Sequence, residues 1–155
     1  MGNAATEQLD LDADGLRVAI VAARYNEDIV GQLIEGARLG WQRRGGDAAL
    51  LRVERVPGAF ELPLAARQFA LRGVDAVVAL GCVIRGDTAH FDYVAGECAR
   101  GLQAVMLETG IPVAFGVLTT ENLAQAQQRA APGEFNKGGE AIDTAIAMAQ
   151  LLRRI

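Results

Sequence analysis

Short apolar runs alternate with segments of helical period along nearly the whole chain. Arg17–Ala23, "RVAIVAA", is apolar on both faces, as a strand buried in a parallel sheet is. Asn26 then predicts a helix cap. Glu27 and Asp28 fill the first turn, Ile29, Leu33, Ala37 and Trp41 form the apolar face, and Gly45-Gly46 end the helix. A second strand is predicted over Ala49–Val56, followed by the turn "VPGAF" and a helix over Leu62–Arg72 with Pro63 in its first turn and Gly73 at its stop. Val74–Ile84 is the most apolar run. A long helix follows it over Thr88–Thr109, with Phe91, Val94, Cys98, Leu102 and Met106 along one face. Pro112–Leu118 reads as a fourth strand, and Thr120 as the cap of a short helix ending near Ala131. "APGEFNKGG" reads as a loop, and Glu140–Arg154 as the last helix.

Repeated strand–helix alternation predicts an α/β fold. The expected form is a three-layer α/β/α sandwich of flavodoxin-like type, a four-stranded, mainly parallel sheet with helices on both faces. The length of 155 residues suits one domain over residues 16–155. Residues 1–15 read as a flexible acidic N-terminal arm. Its start "MGNAAT" also fits the loose pattern for N-myristoylation, but the adjoining "EQLDLDADG" is acidic and solvated.

Composition removes several function classes. Fifteen basic against nineteen acidic residues give a net charge of −4, with the basic ones scattered, which argues against a nucleic-acid partner. No apolar run is long enough for a membrane span. The two cysteines, Cys82 and Cys98, are too few for a disulfide framework or a zinc site, so a reducing, cytoplasmic setting is expected. Serine is absent, which excludes a serine triad, and no P-loop sequence occurs. Fourteen of the fifteen basic residues are arginine. The lone lysine, Lys137, is either a chance survivor of an arginine-rich composition or a site that needs a compact ammonium.

In open parallel sheets ligands bind beyond the carboxyl ends of the strands, which selects the loops "RYNED", "VPGAFE", "IRGDTAH" and "FGVLTTEN". Gly86 and Thr88, beside Arg85 and ahead of a helix, suit a phosphate-sized anion. Asp87 is awkward next to an anion, and either it or Thr88 is equally an ordinary helix cap. His90, the only histidine, sits in the first helical turn as a candidate base. Cys82 raises a thiol–imidazole dyad with it, although a small core residue is the simpler reading. Tyr25, Phe60 and Phe115 are placed at strand ends where rings stack on a flat heterocycle. Glu61 can accept hydrogen bonds from a polyhydroxyl chain or a ring N–H.

Five segments in this order, "ARYNEDI", "VPGAFELP", "GCVIRGDTAHFDYV", "PVAFGVLTTEN" and "RAAPGEFNKGGEA", resemble those of the 6,7-dimethyl-8-ribityllumazine synthases, from Arg17 to the C-terminus. The resemblance implies condensation of 5-amino-6-ribitylaminouracil with 3,4-dihydroxy-2-butanone 4-phosphate, without metal or organic cofactor. It also implies a homo-oligomer, either a pentamer or a 60-subunit shell of pentamers, with riboflavin synthase as a candidate partner. Carried over, Tyr25 stacks on the pyrimidine, where the family more often has Phe or Trp. Asn26, Ala59, Glu61 and Lys137 address the ribityl chain and ring, and Phe60, Cys82, Val83 and Ile84 line the ring's surroundings. Gly86, Asp87, Thr88 and Arg129 hold the phosphate, and His90 relays protons. Phe115 and Arg129 reach in from a neighbouring subunit. The resemblance turns Lys137 towards function and drops the dyad. A flavodoxin-like flavin module is disfavoured because the loop after the first strand is poor in hydroxyls. A binding-only or shell-forming homologue remains the alternative.

Overall fold

The computed structural model describes residues 10–155. Four parallel strands, β1 (Val18–Ala23), β2 (Leu51–Val56), β3 (Ala76–Ile84) and β4 (Val113–Thr120), form one sheet in the order β2-β1-β3-β4. This is the doubly wound, flavodoxin-like arrangement. Helices α1 (Glu27–Arg43), α4 (Leu123–Ala130) and α5 (Lys137–Arg154) cover one face; α2 (Leu62–Ala70) and α3 (His90–Thr109) cover the other. β1 is wholly buried and β3 nearly so, which is why both read as continuous apolar runs.

The expected element order holds, with shifts at the ends. β2 starts late because Asp47 accepts a hydrogen bond from Ala49 N at 2.9 Å and turns residues Ala48–Leu50 into a short 3₁₀ turn. β4 is longer than predicted and runs on through Thr119 and Thr120. Thr120 therefore does not cap α4; it is buried in the strand and its hydroxyl donates to Asn122 O. Asn122 is the cap, accepting from Gln125 N at 2.9 Å. α5 begins three residues earlier than predicted. Buried Asn136 caps it through Gly138 N and Gly139 N, while its amide donates to Gln32 O, Ala130 O and Ala131 O. Gly138 permits this packing, since a Cβ there would overlap the Leu33 carbonyl.

Of α3's predicted face, Cys98 and Leu102 are buried while Phe91, Val94 and Met106 are only half-buried. Residues 1–9 of the expected arm lie outside the described residues. Of its remainder, Leu11 and Ala13 are buried against the core, and Ala13 N donates to Arg44 O at 2.9 Å, so this part is packed and not a free arm. Among the described residues no helix is long and apolar enough to cross a membrane.

Candidate active site

Strand order reverses between β1 and β3, and the main cleft opens at their carboxyl ends. It has a volume of about 680 Å³. β1 delivers Tyr25 and Asn26 to it, the turn after β2 delivers Ala59, Phe60 and Glu61, and β3 delivers Cys82, Val83 and Ile84. The loop into α3 adds Gly86, Thr88 and His90. The predicted cluster thus meets from three chain segments far apart in sequence, around Tyr25, Ala59 and Cys82–His90.

Each group is held by a traceable contact. Asn26 has φ 58° and ψ 51°, the one described non-glycine residue with positive φ. It does not cap α1 with its side chain, as the sequence predicted. Its amide instead spans the switch point and donates to Cys82 O at 2.9 Å, leaving its own oxygen free to accept. Tyr25 N donates to Pro57 O at 3.2 Å, and the ring itself stands 73% exposed. Glu61 accepts from Gly58 N at 3.0 Å through one carboxylate oxygen, leaving the other available. Phe60 is exposed and Ala59 buried.

At the anion end, α3 has Ala89 as its N-terminal boundary and no side-chain cap. Neither Asp87 nor Thr88 caps it in the predicted sense. Thr88 Oγ1 accepts a long 3.3 Å bond from His90 N and still has a proton to donate. Asp87 is exposed and outside the cleft lining. Arg85 is committed elsewhere: it bonds Glu121 at 2.8 Å and Asp92 at 3.2 Å and lies over the Phe91 ring at 4.3 Å. His90 is exposed at the cleft wall.

Cys82 is almost fully buried, and burial pushes its thiol up to about 11, so it is a neutral wall group and not half of a dyad. Sequence reading missed Phe91, Tyr93 and Val94, which also line the cleft. Tyr93 lies one turn after His90, and that i, i+3 spacing was the available signal.

Three predicted residues lie elsewhere. Phe115, Arg129 and Lys137 line a second cleft, of about 450 Å³, along the open edge of β4. It shares no residue with the first. Phe115 is not at a strand end, because β4 continues past it. It pairs in register with Ala79, whereas Ile84 pairs with Thr120 five residues on, roughly 17 Å at about 3.3 Å per residue. Lys137, expected beside Asn26 and Glu61, is the first residue of α5 and bonds Glu140 at 2.7 Å. Arg129 Nη1 donates only to Gln125 O within the described contacts. A third cleft, of about 300 Å³ between α1 and α5, contains none of the predicted residues.

Comparison with known proteins gives one family. The model of the 6,7-dimethyl-8-ribityllumazine synthases matches residues 15–153. A protein of that name from Thermus thermophilus is 53% identical over 146 residues, 94% of this chain and 93% of the relative. Another of that name, from Chlorobium chlorochromatii, is 49% identical over 152 residues, 96% of this chain and 98% of the relative.

Proposed function

The chain belongs to the 6,7-dimethyl-8-ribityllumazine synthase family, and from that premise we propose that its active site is completed by a second copy of itself. As a transferase of riboflavin biosynthesis, it condenses 5-amino-6-ribitylaminouracil with 3,4-dihydroxy-2-butanone 4-phosphate to 6,7-dimethyl-8-ribityllumazine, releasing phosphate and water.

The strand-end cleft takes the pyrimidine. Tyr25 stacks on its face, Val83 and Ile84 border its edge, and the free oxygens of Asn26 and Glu61 accept from the ring N–H and ribityl hydroxyls. The phosphate lies at Gly86 and Thr88, before the N-terminus of the 20-residue α3, where the helix dipole and the backbone N–H groups of the preceding loop favour an anion. Asp87 stays out of contact with it. In this pose the uracil's 5-amino group faces the ketone. Amine attack and loss of water give an imine, phosphate departs, and the ribityl-bearing nitrogen closes the second ring with loss of another water. Each step moves a proton, and His90 relays it. Holding the two substrates together supplies the larger share of the rate.

The observation that carries the shared site is the separation of Phe115, Arg129 and Lys137 from the cleft they are expected to serve. In a neighbouring copy, the β4 edge brings Phe115 over the ring, Lys137 to the pyrimidine and Arg129 to the phosphate. Two different surfaces meet, so the contact is head-to-tail, the kind that forms a ring where the rotation between copies closes. The reading extends to a homopentamer, free or assembled into a 60-subunit icosahedral capsid, acting in the cytoplasm. The exposed Tyr93 and Leu107 of α3 and both open sheet edges support such contacts.

The test is to incubate the two substrates with the protein and follow lumazine absorbance. Product formation that depends on both substrates supports the reading. Tight binding of a lumazine or riboflavin with no turnover would replace it by the binding-only alternative.

A further inference from the structure

We propose that Arg55, outside the substrate-contacting set, is the positioning residue that fixes the Tyr25 ring for the pyrimidine. Arg55 lies near the end of β2 with its side chain only 21% exposed, and it points along the carboxyl ends of the sheet. Its Nε and Nη2 donate to Ala22 O and Ala23 O at 3.3 and 3.1 Å. Nη1 and Nη2 donate to the two carboxylate oxygens of Glu27 at 3.0 and 2.7 Å. One guanidinium thus ties the last two carbonyls of β1 to the first residue of α1.

Only Arg24, Tyr25 and Asn26 lie between those anchors. Both ends of this short linker are held by the same planar group, which no flexible ammonium reproduces: four N–H···O contacts leave from three nitrogens in fixed directions. The Tyr25 ring makes no comparable contact of its own, being 73% exposed, so its orientation is inherited from the backbone beneath it. The proposal rests on Tyr25 being the stacking partner of the pyrimidine. It goes beyond that reading by naming a residue that touches neither substrate and yet sets affinity for one of them.

The experiment is steady-state kinetics on the assembled protein carrying Arg55→Met, Arg55→Lys, Tyr25→Ala, Arg55→Met with Tyr25→Ala, or Arg52→Met. Arg52, on the same strand, pairs with Glu54 on the exposed side and serves as control. Arg55→Met is expected to raise KM for the ribitylaminouracil about three- to tenfold, the range set by loss of an aromatic stacking contact. KM for the butanone phosphate stays within about twofold, because Arg55 bonds only Ala22, Ala23 and Glu27 and shares no partner with Gly86 or Thr88. Arg55→Lys should fall between wild type and Arg55→Met, and the double variant should be no worse than Tyr25→Ala alone.

If Tyr25→Ala leaves the pyrimidine KM unchanged, the stacking reading fails, and the proposal fails with it. If Tyr25→Ala raises that KM and Arg55→Met does not, only the positioning role is overturned. It is also overturned if Arg55→Met raises both KM values equally, if Arg52→Met matches it, or if the two effects multiply in the double variant.

Discussion

Asn26 gives the sharpest quantitative expectation, because two separable effects meet in one residue. Its left-handed backbone is tolerable for Asn and easy for Gly, but costs an ordinary L-residue about 1–2 kcal/mol. Its amide bond to Cys82 O is a neutral, partly buried hydrogen bond of about 1 kcal/mol. Asn26→Gly loses only the bond and should destabilise by about 1 kcal/mol. Asn26→Ala loses the bond and takes on the backbone cost, for a total of about 2–3 kcal/mol. Trp41, the only tryptophan and 2% exposed on α1, reports urea unfolding by fluorescence at fixed protein concentration. The expected order is wild type, then Gly, then Ala, with unchanged denaturant slopes. An Asn26→Ala variant no less stable than Asn26→Gly would refute the backbone argument, and two variants as stable as wild type would refute both parts.

Replacing His90 by Ala should lower turnover about 10- to 100-fold, below the upper range for acid–base groups, because substrate amines and water also carry protons; single-turnover kinetics decide it. Lys137→Arg keeps the charge but exchanges a compact donor for a fork, and should weaken the ribitylaminouracil roughly tenfold, the scale of one charge-assisted hydrogen bond, with the phosphate substrate unaffected. Burial raises both the Cys82 and Cys98 thiols to about 11 from 9.0. In the unfolded chain they ionise first as pH rises, so the folded state then binds more protons; their contribution is complete below about pH 9 and disappears by about pH 11. Stability scanned over that window should fall, and thiol labelling of the native protein at pH 8 should be slow. Gly138→Ala places a methyl group on the Leu33 carbonyl and should cost about 1–3 kcal/mol through displacement of α5 from α1, read from the same urea curves.

The element order was legible because buried parallel strands are apolar on both faces, and β1 and β3 stand out for that reason. The ends were less legible, since they depend on side chains with two plausible uses. Thr119 and Thr120 suit a strand as well as a cap, so the pattern ends β4 too early and sets Phe115 at a strand end, whereas the strand runs on to Thr120. Gly138 and Gly139 look like loop residues, yet Asn136 caps a helix over them because glycine alone allows α5 to approach α1 so closely. Asn26 showed the same ambiguity. It has the composition of a cap, while its actual bond crosses to a strand 56 residues away. The cleft around His90 was readable because a polar cluster closes the most apolar run in the chain. The Arg55 clasp was not, because nothing in "LRVERV" says which of its two arginines turns inward.

The claim that the site is shared between chains is tested most directly by mixing two damaged proteins. His90→Ala keeps an intact Arg129, and Arg129→Ala keeps an intact His90, so the right pair of neighbours rebuilds one whole pocket. Co-refolded at equal ratio, with mixed rings verified by mass spectrometry, they should recover roughly a quarter of wild-type sites, since each of the two contributing chains has an even chance of being the one needed. Activity no higher than the mean of the separate variants, in rings shown to be mixed, would contradict a pocket completed by the neighbouring chain.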